Sequence, residues 1–223
     1  KKLGLTTGAA ALAPALMAEA KTGQVEYLNR IAENAADKPI RLALIGAGIM
    51  GTEDTNSALR HANVKLVAVC DLYKGRLESA KQKWGANLFV TQDYQEVLKR
   101  KDIDAVIIAT PWEWHISQAL ESIKNGIIPG VEVCGAIKLS DCWDIVNASE
   151  KAGIPVMCLE NVCYRRDVLA VYNMVKKGLF GELLHLQGGY EHDLRGVKFN
   201  NGVTAYNSGA EFGDKGYSEA KWR

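Results

Sequence analysis

The feature that most constrains the fold is a glycine-rich segment that follows a short apolar run. Residues 41–51 read RLALIGAGIMG, in which Gly46, Gly48 and Gly51 have the spacing G-x-G-x-x-G. Where a strand turns tightly into a helix, the first glycine makes the turn and the third lets the helix pack on the strand. The second glycine lets the backbone approach a pyrophosphate. The segment therefore predicts a strand–turn–helix unit that opens an α/β fold.

An acidic residue follows the next predicted strand. Residues 64–70 are mostly apolar and lead to Asp71, twenty residues past Gly51. A carboxylate at this position accepts hydrogen bonds from an adenosine ribose and repels a 2′-phosphate. The helix that begins after the glycines also offers free N–H groups to phosphates. We expect a dinucleotide site that prefers NAD to NADP, and a doubly wound domain without a cofactor is the alternative.

Strands and helices alternate over residues 39–160. The predicted strands are 40–45, 65–70, 88–91, 105–109, 131–133 and 156–159. One helix is predicted around residues 116–123, and another from an N-cap at Ser140 to about residue 152. This rhythm predicts a doubly wound parallel sheet, a Rossmann fold, with helices on both faces.

The pattern changes at residue 161. Asp167 is predicted to precede a helix, and residues 182–190 read as a strand. Residues 196–223 are rich in glycine and asparagine and are loop-like. We therefore predict that residues 161–223 begin a second, α+β substrate domain that this chain does not complete, and we expect the chain to be a fragment.

The N-terminus differs from the rest of the chain. Residues 1–20 combine two lysines, an uncharged run rich in alanine and leucine, and an A-x-A sequence, as a secretory signal does. An alanine-rich first helix is the alternative, and residues 21–38 form a polar connector. The segment is too short for a stable membrane span. Export to the periplasm or cell envelope is expected, by a twin-arginine route that carries folded proteins with cofactor bound; without a signal, the protein is cytoplasmic.

Composition excludes some classes of partner and site. Lys and Arg number 27 and Asp and Glu 26, so no basic excess argues for nucleic acid binding. The five cysteines are an odd number without the spacing of metal ligands, so we expect neither a metal site nor a disulfide framework; three of them sit in apolar runs, which predicts buried free thiols. A homo-oligomer formed through the second domain is compatible with this organisation.

Several predicted strands end in residues that suit ligand binding. In an open parallel sheet, ligands bind beyond the carboxyl ends of the strands. One strand leads into the sequence TPWEWH at residues 110–115, whose two tryptophans and His115 offer a flat apolar surface with a polar tip. The next strand carries Glu132, an acid that is costly to bury without a partner. Packing at an interface is the alternative for the two tryptophans, and a position near a solvated strand end is the alternative for Glu132.

Further candidates follow residue 160. Asn161 is placed to hold a carboxamide or a ribose hydroxyl, and Tyr164 to carry a proton. Tyr190 and His192 share one face of the predicted strand by period-two spacing, and a solvated strand end is again the alternative.

These motifs resemble a known family. The pattern A-T-P-x-x-x-H at residues 109–115 is similar to that of the glucose–fructose oxidoreductase and inositol dehydrogenase family. Within it, WEWH, GVEVCGA and LENVCYRRDVLAVYNMVKKGLFGELLHLQGGYEHDLRGVKF look like glycoside hydrolase family 109, the NAD-dependent α-N-acetylgalactosaminidases. This resemblance covers about residues 41–199.

The resemblance implies site residues and a reaction. It implies that NAD and a sugar bind to distinct sets of residues, with the family's Tyr-Pro-Thr-His motif expected after Arg223. The NAD contacts would be Ile49, Met50, Asp71, Trp112, Glu113, Trp114, His115, Glu132, Val133 and Asn161, beside the three glycines, and the sugar contacts Tyr190 and Arg223. The implied activity is glycoside hydrolysis, for which we expect a redox-neutral cycle of oxidation, elimination, addition and reduction. Tyr164 and His192 are our candidate proton carriers for this cycle.

Two other functions stay open at this point. One is a sugar dehydrogenase of the same family, in which hydride transfer to NAD is the net reaction. The other is a protein or fragment that binds NAD or sugar and does not catalyse a reaction. Accumulation of NADH would identify the dehydrogenase, and saturable binding without turnover would identify the binding protein.

Overall fold

The computed structural model describes residues 38–189 and residue 191. Six strands and six α-helices alternate along this part of the chain. The strands are β1 (Ile40–Ile45), β2 (Val64–Cys70), β3 (Phe89–Thr91), β4 (Ala105–Ile108), β5 (Ile128–Val131) and β6 (Met157–Cys158). The helices are α1 (Ile49–Ala58), α2 (Lys74–Trp84), α3 (Tyr94–Leu98), α4 (Trp112–Lys124), α5 (Leu139–Ala152) and α6 (Arg166–Lys176), with a 3₁₀ turn at Val162–Tyr164.

The strands form one parallel sheet in the order β3-β2-β1-β4-β5-β6. All five strand pairs are parallel. The chain runs outward from β1 to β3, then returns to the other side of β1 for β4. The switch between β1 and β4 opens a crevice at the carboxyl edge, where doubly wound sheets bind their ligands. The predicted Rossmann fold is confirmed.

The sheet is buried on both faces. Along β1, Ala43 and Ile45 belong to one hydrophobic cluster, whereas Leu42 and Leu44 belong to another. Alternate residues of a strand point to opposite faces, so β1 separates the two clusters. This explains why residues 42–45 are continuously apolar: a strand covered on both faces shows no polar alternation.

Several predicted boundaries shift in the structure. The strand predicted at residues 131–133 ends at Val131, so Glu132 follows β5 and does not lie within it. Lys138 precedes α5 as its N-cap residue, so the predicted cap at Ser140 is wrong. Asp167 lies in the first turn of α6, where its negative charge favours the helix N-terminus, and does not precede the helix as predicted.

The strand predicted at residues 182–190 is not formed over residues 182–189. A strand needs a neighbour to pair its backbone groups, and within the described part of the chain no strand lies beside this segment. The division into domains near residue 160 stays a prediction. Residues 1–37 lie outside the described residues, as do Tyr190, His192 and the sequence up to Arg223.

The predicted burial of the cysteines is mostly wrong. Cys70 is buried at the end of β2, whereas the other four are exposed free thiols: Cys134, Cys142, Cys158 and Cys163. Burial raises the pKa of the Cys70 thiol to about 12, and the nearby carboxylate of Asp71 adds to this.

Within residues 38–189 and 191, no group of three or more His, Cys, Asp or Glu side chains is arranged to hold a metal ion. Helices of the same residues are too short or too polar to cross a membrane.

Candidate functional site

The glycine-rich turn between β1 and α1 leaves almost no space at two of its three glycines. Gly46 has a φ of +95°, and a Cβ atom there would lie 2.5 Å from the carbonyl oxygen of Ala109. A Cβ atom at Gly51 would collide with the carbonyl oxygen of Gly46 and lie 2.9 Å from Leu44 Cδ1. Glycine is therefore needed at both positions for the turn to close against β4.

Gly48 is in a different situation. Its φ of −79° is open to any residue, and the nearest heavy atom to a Cβ there, Arg76 Nη1, would lie 3.8 Å away. Gly48 is the N-cap residue of α1 and makes no side-chain cap. The N–H groups of the first turn are therefore not capped by a side chain at Gly48, and their positive dipole end suits a phosphate.

Replacing Gly48 with alanine should therefore separate cofactor binding from folding. We expect Gly48→Ala to lower the affinity for NAD at least about tenfold, because a methyl group would occupy the space in which backbone meets pyrophosphate. The melting temperature should change by no more than about 2 °C, since the methyl group meets only ordinary contacts in the protein. Calorimetric titration and thermal unfolding measure the two quantities. An unchanged affinity would show that the pyrophosphate does not lie over Gly48.

Asp71 supports the glycine-rich turn from the end of β2. Its side chain is buried, with Oδ2 accepting a hydrogen bond of 2.8 Å from the Ala47 N–H and Oδ1 one of 2.9 Å from the Tyr73 N–H. Arg76 Nη1 lies 3.3 Å from Oδ2 and completes an ion pair. The sequence predicts Asp71 as a ribose ligand, and the structure shows that the protein already uses both its oxygens. The contact of Asp71 with the ribose stays a prediction. Fewer lone pairs of the carboxylate are available for it, because two N–H groups and Arg76 already occupy some of them.

A groove of about 310 Å³ lies between α1 and α2, beside the glycine-rich turn. Ala47, Gly48 and Ile49 line one side, and α2 lines the other with Arg76 and Lys83 among its residues. Glu53 lines the same groove and Arg76 already pairs with Asp71, so Lys83 and the N-terminus of α1 are the features of this groove that favour an anionic ligand. Met50, a predicted cofactor contact, is 40% exposed at the start of α1.

The segment after β4 holds the predicted aromatic surface and a buried histidine. Trp112 and Trp114 are exposed at the start of α4 with Glu113 between them, and Trp114 contacts Tyr94 edge to face, with ring centroids 6.4 Å apart. His115 is fully buried. The tryptophans therefore have open surface for a ligand, whereas His115 does not.

His115 connects two loops of the carboxyl edge. Its Nδ1 lies 2.9 Å from the carbonyl oxygen of Cys134, and its Nε2 lies 2.7 Å from that of Thr110. A neutral imidazole donates only one hydrogen bond, whereas an imidazolium donates to both carbonyl groups. The ring therefore fixes the loop after β5 to the loop after β4. Its predicted contact with the cofactor stays a prediction.

Glu132 begins the loop after β5 and is 5% exposed. Its backbone N–H donates to the carbonyl oxygen of Ile108 over 2.9 Å, which extends the pairing with β4 by one residue. Burial raises the pKa of its carboxyl group to about 7, and the nearby carboxyl groups of Asp54 and Glu160 add to the effect. Val133, the next residue, is exposed. A buried carboxyl group that titrates near neutrality is typical of a functional site.

The remaining described candidates follow β6. Asn161 precedes the 3₁₀ turn and is exposed, and Tyr164 ends this turn with 64% of its side chain exposed. Tyr164 therefore has open access to a ligand at the carboxyl edge. The predicted roles of Tyr190, His192 and Arg223 lie outside the described residues.

The sequence analysis did not identify two residues of the site, Arg76 and Asp54. Arg76 lies five residues after Asp71, and the likelihood of an ion pair between an acid at a strand end and a base in the next helix could have identified it. Asp54 of α1 interacts with Glu132, 78 positions later in the sequence. Nothing local in the sequence indicates that pair.

Two family sequence models match this chain. Residues 40–158 match the oxidoreductase family with an NAD-binding Rossmann fold, and residues 164–223 match the C-terminal domain of glycosyl hydrolase 109. The first match spans all six strands of the sheet described above. A nicotinamide cofactor is therefore the ligand class of this domain.

Relatives and solved structures agree with these matches. A glycosyl hydrolase family 109 protein of Stenotrophomonas maltophilia is 47% identical over 201 residues, which cover 85% of this chain and 44% of the relative. An alpha-N-acetylgalactosaminidase of Tannerella forsythia is 40% identical over 232 residues, 97% of this chain and 49% of the relative. The chain thus spans about half the length of the curated relatives it matches.

Among solved structures, the WlbA dehydrogenase of Chromobacterium violaceum, in complex with NADH and UDP-GlcNAcA, superposes with a TM-score of 0.62. The two are 24% identical, over 66% of this chain and 42% of the other. At this identity the likeness shows the fold alone. The family match over residues 40–158 shows that this chain belongs to the oxidoreductase family with an NAD-binding Rossmann fold, and its residues 164–223 are similar to the C-terminal domain of glycosyl hydrolase 109.

Proposed function

We propose that this chain supplies the cofactor-binding part of an NAD-dependent glycosidase that acts on α-N-acetylgalactosaminides or related glycosides. The observation that carries the proposal is the order of its two parts. A complete dinucleotide-binding sheet is followed directly by sequence of the glycosyl hydrolase 109 C-terminal domain. The Tannerella forsythia relative is an alpha-N-acetylgalactosaminidase, which supports the choice of substrate.

The residues of the carboxyl edge fit NAD. The open space at Gly48 and the N-terminus of α1 suit a pyrophosphate, and the glycines at positions 46 and 51 hold that turn in place. Asp71, at the end of β2, disfavours a 2′-phosphate by its charge, which supports NAD over NADP. The exposed tryptophans after β4 and Val133 after β5 are placed to contact the rest of the cofactor.

When bound, NAD supplies a hydride acceptor and donor for a sugar carbon, which makes the neighbouring carbon acidic and permits elimination of the aglycone. The protein must then orient the sugar and move a proton at that neighbouring carbon. Tyr164 is exposed at the same edge and is our candidate for this proton transfer, together with His192. Tyr190 and Arg223 are proposed to hold the sugar.

The label left by heavy water tests this proposal. With an α-N-acetylgalactosaminide in deuterated water, we expect the enzyme to place solvent deuterium at carbon 2 of the released sugar, because a proton is removed there and returned from solvent. NADH should not accumulate, since the cycle is redox-neutral. Mass spectrometry of the product and absorbance of NADH measure the two. Hydrolysis with an unlabelled carbon 2 would contradict the elimination route, and NADH formed in step with product would identify a dehydrogenase.

A further inference from the structure

Two carboxyl groups meet behind the glycine-rich turn. Asp54 lies in α1, five residues after its start, and Glu132 lies directly after β5. Their carboxyl groups are within hydrogen-bonding range of each other, although α1 follows β1 and Glu132 follows β5, the two strands that flank β4 in the sheet. Both side chains are at least half-buried, and Glu132 is only 5% exposed.

The geometry of this pair requires a proton. The Oδ2 atom of Asp54 is buried and has no donor as a partner. Two ionised carboxylates are both acceptors, so they cannot hydrogen-bond to each other, and a buried acceptor without a donor is costly. If one carboxyl group is protonated, it donates to the other and the cost disappears.

The difference in burial indicates which group holds the proton. Glu132 is the more buried of the two side chains, and burial is the main cause that raises the pKa of its carboxyl group to about 7, so Glu132 holds the proton below about pH 7 and Asp54 accepts the hydrogen bond. Within the part of the chain that the structure describes, the further charges that raise these two pKa values are those of Glu53, which acts on Asp54, and Glu160, which acts on Glu132. Because these neighbours are also negative, a second negative charge in the pair is disfavoured.

The pair joins the two parts of the site that a dinucleotide must bridge. Asp54 belongs to the helix whose N-terminus faces the phosphates, and Glu132 starts the loop that His115 fixes through the Cys134 carbonyl group. Loss of the shared proton would set two negative charges against each other across this contact. The repulsion would separate α1 from the loop after β5.

We propose that Asp54 is a positioning residue: it accepts a hydrogen bond from protonated Glu132 and so holds the loop after β5 against the phosphate-binding helix, in the arrangement that binds the nicotinamide cofactor. This inference rests on the proposed binding of NAD at this edge. The pair carries one negative charge while it is intact, and cofactor binding is linked to its proton.

The test is the pH dependence of NAD binding. For the wild-type protein, we expect the Kd for NAD not to vary with pH near pH 6, where the pair holds its proton. Above about pH 7 the Kd should rise by up to about tenfold per pH unit, as the pair loses its proton. In Asp54→Asn, the amide group donates to an ionised Glu132, so the pair needs no proton and the Kd should stay flat from about pH 6 to 9. The exposed Glu78→Gln variant, with the same change of charge on α2, should follow the wild-type profile.

Infrared spectroscopy provides a second readout, which does not need the cofactor. The wild-type protein at pH 6 should show the band of a protonated carboxyl group, and Glu132→Gln and Asp54→Asn should both lack it. If Asp54→Asn fails to fold, the infrared spectra of the wild-type protein and Glu132→Gln still show whether the pair holds a proton. In Glu132→Gln the amide group donates permanently to Asp54, so the Kd for NAD should not vary with pH, whatever its value.

Distinct results would overturn the two proposals. If the wild-type protein does not bind NAD, the proposed function fails, whereas a protonated Glu132 in the infrared spectrum would still show the pair. If NAD binds and Asp54→Asn retains the wild-type pH profile, the positioning role of Asp54 is wrong and the pH dependence belongs to another group. Absence of the carboxyl band at pH 6 would show that the pair holds no proton.

Discussion

Gly46→Ala should lower the melting temperature of the protein by about 10 °C. A residue with a side chain at a φ of +95° is strained by at least about 1–2 kcal/mol, and forcing a methyl group into a packed site adds about 1–3 kcal/mol. The close atoms are the backbone of Ala109 and Thr110, which cannot rotate away as a side chain can. For a domain of this size, each kcal/mol shifts the melting temperature by about 2–4 °C.

Thermal unfolding of Gly46→Ala beside Gly48→Ala is the appropriate measurement. Both variants add one methyl group to the same turn, and only the first meets backbone atoms closer than 3 Å. We expect Gly46→Ala to lose stability and cofactor binding together, whereas Gly48→Ala loses binding alone. Equal melting temperatures for the two variants would mean that the turn does not close against β4 as described.

The order of elements followed from local sequence patterns. The glycine spacing at residues 46–51 and the apolar runs of β1, β2 and β4 are local signals, so the Rossmann fold and the positions of these strands were correctly predicted. The strand β5 was misplaced because Pro129 and Gly130 lie inside it, and both residues are disfavoured in strands. A glycine is favoured at position 130 because a Cβ atom there would lie only 3.3 Å from the side chain of Leu159.

The chemistry of the site was harder to predict, because it depends on pairs of residues distant in sequence. Glu132 was predicted as a functional acid within a strand, but its partner Asp54 is brought to it only by the packing of α1 beside β4. His115 was predicted as the polar tip of an aromatic surface, whereas helix α4 turns it inward between two carbonyl groups. Neither arrangement has a periodic signal that a sequence could show.

Asp71 illustrates how a correctly located residue can have more than one role. The sequence placed it at the end of β2 and assigned it to the ribose. The structure adds hydrogen bonds from the N–H groups of Ala47 and Tyr73 and an ion pair with Arg76. The carboxylate therefore shapes the turn that is proposed to bind the phosphates, in addition to any contact with the cofactor itself.

Asp71→Ala should for this reason weaken NAD binding and folding at the same time. Loss of a charged hydrogen bond to the ribose corresponds to about 1–3 kcal/mol, or about 5- to 150-fold in the Kd for NAD. Each of the two N–H groups left without an acceptor costs up to about 1–3 kcal/mol of stability if water does not reach it. Asp71→Asn keeps one acceptor oxygen and should recover part of the stability, but not the charge that repels a 2′-phosphate.

The ratio of affinities for NADP and NAD distinguishes these two contributions. In both variants the negative charge at the end of β2 is gone and Arg76 is released from its ion pair, next to the position predicted for the ribose. The affinity for NADP relative to NAD should therefore rise in Asp71→Ala and Asp71→Asn alike, although their melting temperatures differ. If the ratio stays at the wild-type value while stability falls, Asp71 acts only on the turn, and the preference for NAD must arise from other residues of the site.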